Sequence, residues 1–322
     1  MMRAVIRDRY GSTEVVQLAD LPVPEIGEDE VLIGVRAAGV DRGVWHIMAG
    51  VPYVMRLGFG VRRPRRRTLG RELAGVVEVA GTQVTGFRPG DEVFGTCEGS
   101  FAEYAAGKAG KLARKPSNLT FAQAAAVPVS GQTALQAVRD HGRVGSGQRV
   151  LVIGASGGVG SFAVQIAKAF GAEVTGVCSG AKADFVRSLG VDRVIDYTRE
   201  EVTDSGTRYD VVLDAAGNRP LRALRRALTD DGTLVIVGGE EGGRLTGLSR
   251  QVRALALSPF VRQRFKVFIT RENGNDLAAL TQLIEAGDVT PVVDTERPLG
   301  EVASAIDDLL AGRVRGKTVI IP

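Results

Sequence analysis

The chain has 322 residues, enough for one large domain or two medium-sized ones. Its 41 Lys and Arg residues exceed its 37 Asp and Glu residues by four, a surplus too small to predict a nucleic-acid partner by itself. No apolar stretch is long enough to span a bilayer, the first residues lack the apolar core of a signal peptide, and Cys97 and Cys178 are too few for a disulfide framework or a structural zinc site. We therefore expect a cytoplasmic α/β protein with no membrane partner.

Residues 1–125 are dominated by short β-branched or alternating segments that end at Gly, Pro or Asp, a pattern typical of an all-β region. The predicted strands span residues 2–7, 30–38, 73–79, 91–94 and 100–105. Trp45 and His46 follow the end of one of these strands, where an aromatic and a polar side chain can line a substrate pocket. The alternative is an ordinary core tryptophan beside a surface histidine.

The strongest charge run is RRPRRR at residues 62–67. A basic run of this kind can contact nucleic acid or other anionic groups. It contains a proline and no aromatic residue, so a solvated loop is the preferred interpretation. A nucleic-acid contact and a lid over an anionic cofactor stay open as alternatives.

The most informative stretch is a strand, a glycine-rich turn and a helix in direct succession. Residues 150–153 form a short β-branched run, and the predicted helix spans residues 158–169. Residues without Cβ let a backbone approach phosphate groups, and the free amides at the start of a helix attract them. The turn is therefore predicted to hold a dinucleotide pyrophosphate through Gly154, Ala155, Ser156, Gly157, Gly158, Val159 and Gly160.

From this turn onward, strands alternate with helices. Alternation of this kind predicts a doubly wound parallel sheet with right-handed crossovers. Further strands are predicted at residues 173–178, 193–196, 211–214 and 233–238, and further helices at residues 182–189 and 220–227. Beyond residue 239 the pattern is mixed, with helices predicted at residues 276–286 and 300–310 and a strand at residues 317–321, and this tail is expected to return to the first domain.

The end of the second strand of this sheet indicates which nicotinamide cofactor is bound. In NAD-binding sheets an acidic residue there accepts the adenosine ribose hydroxyls. Here the strand ends in Ser179-Gly180-Ala181-Lys182, and the next carboxylate, Asp184, is predicted to lie inside the following helix. A hydroxyl and an ammonium group suit a 2′-phosphate. NADPH is therefore preferred over NADH.

Several segments, in this order and spacing, resemble the medium-chain dehydrogenase/reductase superfamily. They are GRELAGVV (70–77), GFRPGDEVFG (86–95), AAVP (125–128), QTA (132–134), GASGGVG (154–160) and RGKTVI (315–320). VDRGVWH at residues 40–46 and RRP at residues 62–64 resemble the zinc-independent quinone oxidoreductase branch. The resemblance extends over nearly the whole chain.

The resemblance implies an α/β architecture of two domains with the active site where they meet, and a homodimer. A GroES-like, β-rich catalytic domain would comprise residues 1–125 and 265–322, and a Rossmann NADP-binding domain would comprise residues 126–264. It further assigns the 2′-phosphate to Ser179, Lys182 and Tyr197. Near the nicotinamide it places Thr133, Gly238 and Gly239, with the backbone of Phe268 at the carboxamide end.

In zinc alcohol dehydrogenases of this superfamily, the ion is held at positions that correspond here to Asp41, Arg71 and either Val129 or Ser130. Arginine has no lone pair to donate, and one carboxylate cannot replace a full ligand set. We therefore expect no metal, and an acceptor that needs no Lewis acid, namely a quinone or an α,β-unsaturated carbonyl. Candidate groups for the proton are Asp41, where the family usually has asparagine, His46 and Tyr53.

Two other functions remain open at this point. The chain would be an NADP-dependent alcohol or aldehyde dehydrogenase if its pocket oriented a hydroxyl group. It would be a non-catalytic NADPH-binding sensor, or an RNA-contacting protein, if the arginine run were its contact surface.

Overall fold

The computed structural model describes residues 1–204, 206–217, 219–237, 254 and 261–322. The strands are β1 (Met2–Ile6), β2 (Gln17–Leu21), β3 (Glu30–Val40), β4 (Glu72–Ala80), β5 (Glu92–Thr96), β6 (Tyr104–Lys108), β7 (Leu112–Arg114), β8 (Arg149–Ile153), β9 (Glu173–Cys178), β10 (Arg193–Asp196), β11 (Tyr209–Asp214), β12 (Leu228–Ile236), β13 (Arg264–Val267), β14 (Val293–Pro298) and β15 (Lys317–Ile321). The helices are α1 (Arg42–Ala49), α2 (Arg56–Phe59), α3 (Phe121–Ala125), α4 (Pro128–Leu135), α5 (Gly158–Ala169), α6 (Ala183–Ser188), α7 (Leu221–Ala227), α8 (Gly274–Glu285) and α9 (Val302–Leu310). No helix in these ranges is both long and apolar enough to cross a membrane.

The first of two compact units comprises residues 1–132, 272–286 and 291–322. Within its described residues, a seven-stranded sheet has the order β14-β15-β3-β4-β5-β7, with β6 also paired to β3. The long strand β3 is central because its alternate residues Val31 and Ile33 are fully buried. The C-terminal strand β15 pairs antiparallel with β3, so the end of the chain lies in this β-rich sheet.

The second unit comprises residues 133–271 and 287–290. Its described strands form a six-stranded parallel sheet in the order β10-β9-β8-β11-β12-β13. Central β8 is buried over residues 150–153, as expected of a strand covered on both faces. This confirms the predicted doubly wound sheet. The strand order reverses beside β8, and ligands of such sheets bind at the carboxyl ends of the strands next to that reversal.

The structure differs from the sequence prediction in several elements. No helix was predicted over residues 42–49, which contain Trp45 and His46 and form α1. Strands β2 and β14 were not predicted because their sequences, QLADL and VDTERP, are polar, and both strands are largely exposed edges. Strand β12 begins at residue 228, five residues before its predicted start.

The unit boundaries lie seven residues beyond the predicted domain boundaries on each side. Residues 126–132 fall in the first unit, where the amide of Val129 donates to Glu72 and Gln132 Oε1 accepts from the amide of Asn273. Residues 265–271 fall in the second unit because β13 pairs with β12. Backbone and side-chain contacts between residues distant in sequence set these boundaries, and such contacts leave no local signal.

Candidate cofactor site and candidate active site

The glycine-rich turn between β8 and α5 is closed by its own backbone. Gly154 has a φ of +82°, a conformation that favours glycine. The amides of Gly154 and Ala155 both donate to the carbonyl of Val177 at 3.1 Å, and the amide of Gly157 donates to the carbonyl of Gly154 at 3.0 Å. These bonds attach the turn to the carboxyl end of β9. Its position is therefore fixed before any ligand binds.

The start of α5 is built to receive an anion. Gly157 is the N-cap residue and supplies no side-chain acceptor to the first turn. The amides of Gly158, Val159 and Gly160 have no acceptor within the helix and carry partial positive charge. A Cβ on Gly160 would stand 2.7 Å from the carbonyl carbon of Gly154 and 2.8 Å from Cα of Ala155. The helix start and the turn therefore pack backbone to backbone, and the residues present fit a pyrophosphate.

The residues predicted for the 2′-phosphate lie in two segments that the sheet brings together. The segments follow β9 and β10, where Cys178 pairs with Asp196. The amide of Tyr197 donates to the carbonyl of Cys178 at 3.1 Å, and the Tyr197 side chain is 52% exposed. The backbone thus places Tyr197 next to Ser179.

A carboxylate that the sequence analysis missed lies at the same place. Asp196 accepts hydrogen bonds from the side chain of Thr198 at 2.7 Å and from its amide at 3.0 Å. Together with the amide of Gly180, these donors hold the pKa of Asp196 below its usual range. Asp184 is the next acid in sequence, but the pairing of β10 with β9 brings the more distant Asp196 to this turn. Asp196 is already bonded by donors of both segments, and the assignment of the 2′-phosphate to Ser179, Lys182 and Tyr197 stays a prediction.

The residues predicted near the nicotinamide are only partly described. Thr133 is buried, and its Oγ1 lies 2.8 Å from Oγ1 of Thr270. Phe268 stacks on His141 with ring centroids 4.2 Å apart. Gly238 and Gly239 lie outside the described residues. The roles of Thr133 and Phe268 stay predictions.

Asp41, one of the predicted proton donors, is the N-cap of α1. Its Oδ1 accepts from the amides of Gly43 at 2.6 Å and Val44 at 3.3 Å, and it lies 3.4 Å from the guanidinium of Arg71. Its Oδ2 is buried without a hydrogen-bond partner among the described residues. The sequence signal that was overlooked is the acidic cap, which starts a helix at residue 42.

The other candidates lie on α1 and just after it. His46 Nδ1 lies 2.7 Å from the carbonyl of Val51, which can only accept, so the proton of a neutral ring is on Nδ1. Trp45 is partly buried against the core of the first unit, and its ring centroid is 4.7 Å from that of His46. Tyr53 is 42% exposed, and the guanidinium of Arg56 lies 4.7 Å from the centre of its ring. Trp45 thus packs against the core, and its place in a substrate pocket stays a prediction.

Three of the arginines in the run 62–67 have partners. Arg67 forms a salt bridge with Asp8 at 2.5 Å, Arg66 pairs with Glu98, and Arg65 donates to the carbonyl of Gly58. Arg62 and Arg63 are exposed. This arrangement is consistent with a solvated loop, and contact with nucleic acid stays an untested alternative.

Comparison with known proteins gives the family. The alcohol dehydrogenase GroES-like domain family matches residues 27–117, and the zinc-binding dehydrogenase family matches residues 189–320. All of the chain aligns, at 36% identity, with a 2-methylene-furan-3-one reductase of Solanum lycopersicum, of which 79% is covered. All of it also aligns, at 36% identity, with a chloroplastic NADPH-dependent alkenal/one oxidoreductase of Arabidopsis thaliana, of which 80% is covered. Among solved structures, a quinone oxidoreductase from Coxiella burnetii is 27% identical, with a TM-score of 0.86 over 100% of this chain and 99% of that one.

The chain therefore belongs to the medium-chain dehydrogenase/reductase superfamily. The relatives named above are, by their own names, reductases of conjugated carbonyl compounds and of quinones.

The residues at the predicted zinc-ligand positions do not fit that ion. Arg71 donates to Glu272 at 2.6 Å and faces Asp41, so a guanidinium occupies the place of a ligand. Burial alone would lower the pKa of Arg71. The nearby carboxylates of Asp41, Glu272 and Glu72 outweigh this effect and raise the pKa above its usual value. Val129 has an apolar side chain. The described part of the chain contains no cluster of three His, Cys, Asp or Glu residues close enough to hold a metal.

Both cysteines are in surroundings that suppress their reactivity. Burial, with Glu98 and Glu272 nearby, raises the pKa of Cys97 to about 12. Burial also raises the pKa of Cys178, which is 2% exposed. A thiol must ionise to act as a nucleophile or a metal ligand, so the raised pKa values disfavour both roles for these cysteines.

Proposed function

We propose that this protein is an NADPH-dependent oxidoreductase that transfers a hydride to a quinone or an α,β-unsaturated carbonyl compound, without a zinc ion. The observation that carries the proposal is the glycine turn at the reversal of the parallel sheet, where Gly160 packs directly on the backbone of Gly154. The names of the relatives that share 36% of their aligned residues with the chain support both the cofactor and the class of acceptor.

Three groups of residues would bind three different parts of the cofactor. The amides from Ser156 to Gly160 would bind the pyrophosphate, because they start a helix without a side-chain cap. Ser179, Lys182 and Tyr197 would bind the 2′-phosphate. Thr133, Phe268, Gly238 and Gly239 would border the nicotinamide end. When bound, NADPH supplies the hydride.

The protein must orient the acceptor for hydride transfer and supply it with a proton. A conjugated carbonyl or a quinone is electron-poor, so positioning it for hydride transfer requires no metal. Asp41 Oδ1 is already committed to the amides of α1 and to Arg71, so we assign Asp41 an orienting role. His46 carries its proton on the nitrogen that faces Val51. Tyr53, with its exposed side chain, is therefore our first candidate for the proton donor, with water as the other source.

Zinc independence rests on the chemistry of Arg71. Its guanidinium is permanently charged, cannot coordinate a cation and lies between Asp41 and Glu272. A zinc ion placed there would be repelled by this charge. The proposal therefore excludes a catalytic step that depends on a metal-bound oxygen. A cytoplasmic location and a homodimer stay predictions from the sequence.

Steady-state oxidation of NADPH with a panel of acceptors tests the proposal. The panel contains a benzoquinone, an alkenal, an enone and their saturated analogues, each assayed with and without a metal chelator. We expect turnover of the conjugated acceptors alone, unchanged by chelation. Turnover of saturated aldehydes that the chelator abolishes would favour the dehydrogenase alternative. Tight binding of NADPH with no turnover of any acceptor would favour a sensor.

Lys182→Ala is expected to weaken binding of NADPH by about 10-fold to 100-fold, the loss of one charge-assisted hydrogen bond to phosphate. Binding of NADH, which lacks that phosphate, should change by less than about twofold. The dissociation constants are measured by fluorescence titration of both cofactors. Lys168→Ala is the matched control because Lys168, also in the second unit, pairs with Asp192 instead. An equal loss of affinity for both cofactors in Lys182→Ala would refute the assignment.

A further inference from the structure

The second unit contains a cavity of about 560 Å³ that the proposed function does not use. Its volume lies in the range of small-molecule sites. Among the described residues, its lining is formed by Arg208, Arg222, Arg225, Arg226 and Gln263.

The cavity lies at the edge of the parallel sheet opposite the glycine turn. Arg208 directly precedes β11, Gln263 directly precedes β13, and the other three arginines lie on α7. The glycine turn follows the carboxyl end of β8, whereas these residues mark the amino ends of strands that run parallel to it. The cavity is therefore separate from the predicted cofactor site.

Hydrogen bonds fix part of the lining in place. Arg225 Nε donates to Gln263 Oε1 at 3.2 Å, and Gln263 Nε2 donates back to the carbonyls of Arg225 at 3.0 Å and Thr229 at 3.3 Å. Arg208 donates to the carbonyl of Leu228 at 3.1 Å. Two of the four guanidiniums are thus preorganised by the ends of α7 and β12, which reduces the entropy lost when a ligand binds.

The described residues form no ion pair that would compensate the charge of the four arginines. Among the described residues, none of the four arginines forms a salt bridge, whereas the neighbouring Arg219 pairs with Glu201 and Arg262 pairs with Asp231. Arg222 and Arg226 are four residues apart on one helix, so they repel each other. Four like charges this close together attract an anion, although three of these arginines (Arg208, Arg222 and Arg226) are exposed to solvent.

We propose that this cavity binds a small polyphosphate anion, through its phosphate groups. A guanidinium offers paired donors that match two phosphate oxygens at once, and four of them suit a ligand with several phosphates. None of the described lining residues is aromatic and could stack on a base, so we expect recognition through the phosphate groups and not through an attached nucleoside. Inorganic triphosphate and nucleoside triphosphates both carry the chain of phosphate groups that the arginines would bind.

The test is calorimetric titration of inorganic triphosphate into the full-length protein, with NADP⁺ present at saturation to fill the cofactor site. We expect one saturable site. Arg222→Gln/Arg226→Gln should weaken it by at least about 100-fold, because each guanidinium contributes about tenfold or more. The matched control, Arg62→Gln/Arg63→Gln, removes the same charge from exposed positions in the first unit and should change the affinity by less than about twofold.

Two further titrations, with ATP and with a short single-stranded RNA, show which part of a ligand the cavity binds. ATP should bind with nearly the same affinity as inorganic triphosphate. The proposal is overturned if triphosphate shows no saturable binding, if both double variants lose affinity equally, or if ATP binds far more tightly than triphosphate. It is also overturned if a short single-stranded RNA binds the site and triphosphate does not. NADPH oxidation by Arg222→Gln/Arg226→Gln should equal that of the parent, which verifies that the variant is folded.

Discussion

Gly160→Ala is expected to weaken binding of NADPH by more than about 100-fold. The added Cβ would lie 2.7 Å from the carbonyl carbon of Gly154 and 2.8 Å from Cα of Ala155, and both atoms belong to the backbone. Neither can rotate away as a side chain would, so α5 must move from the turn by several tenths of an ångström or more. Amide donors displaced by such a distance no longer converge on one pyrophosphate. The dissociation constant of NADPH is the measurement.

Gly145→Ala is the matched control for this variant. Gly145 belongs to the same unit, and a Cβ there has no neighbouring atom within 4 Å. It should bind NADPH as the parent does, which shows that an added methyl group by itself is harmless. The account is contradicted if Gly160→Ala retains parental affinity while circular dichroism shows a native fold.

Lys317→Met is expected to reduce the free energy of unfolding by about 3–5 kcal/mol. Lys317, on the last strand, forms a salt bridge with Glu72 of β4, and the two side chains are 2% and 0% exposed. The amide of Val129 donates to the other oxygen of Glu72 at 2.7 Å. Removal of the cation leaves the buried carboxylate of Glu72 with one hydrogen bond. A buried charge without its partner destabilises the folded protein strongly. Urea unfolding at neutral pH measures the loss.

A double variant and a pH series separate the charge from the packing. Glu72→Gln/Lys317→Met keeps an acceptor for Val129 and buries no charge, so most of the lost stability should return. Burial already raises the pKa of Glu72, against the opposing effect of Lys317. Without Lys317 the folded protein binds the proton on Glu72 more strongly than the unfolded chain does. The stability of Lys317→Met should therefore fall as pH rises above about 4, and a pH-independent deficit would contradict this explanation.

Sequence reasoning succeeded where the determinants are local. The turn after β8 and the bounds of α5 follow from a β-branched run, a cluster of glycines and an apolar helical face within twenty or so residues. The parallel sheet was predicted because strands and helices continue to alternate after that turn. Strand β13 was missed because it has only four residues, of which one is buried.

The parts of the sites that were missed depend on register between distant strands. Asp196 meets Gly180 only because β10 pairs with β9 so that Asp196 lies beside Cys178. The arginine cavity joins residues from before β11, from α7 and from before β13, and no spacing in the sequence relates them. Asp41 was identified by resemblance as an active-site residue, but its side chain also caps α1, a role that a closer inspection of the cap residues would have suggested.

The central claim is that a hydride passes from NADPH to a conjugated carbonyl compound without zinc. An isotope label on that hydride tests it most directly. NADPH deuterated at the transferable position of C4 is supplied with an enone and a metal chelator, and the product is examined by mass spectrometry and NMR. The account predicts one deuterium at the carbon β to the carbonyl and a rate that the chelator does not change. Recovery of product without deuterium, or a reaction that stops when zinc is removed, would contradict it.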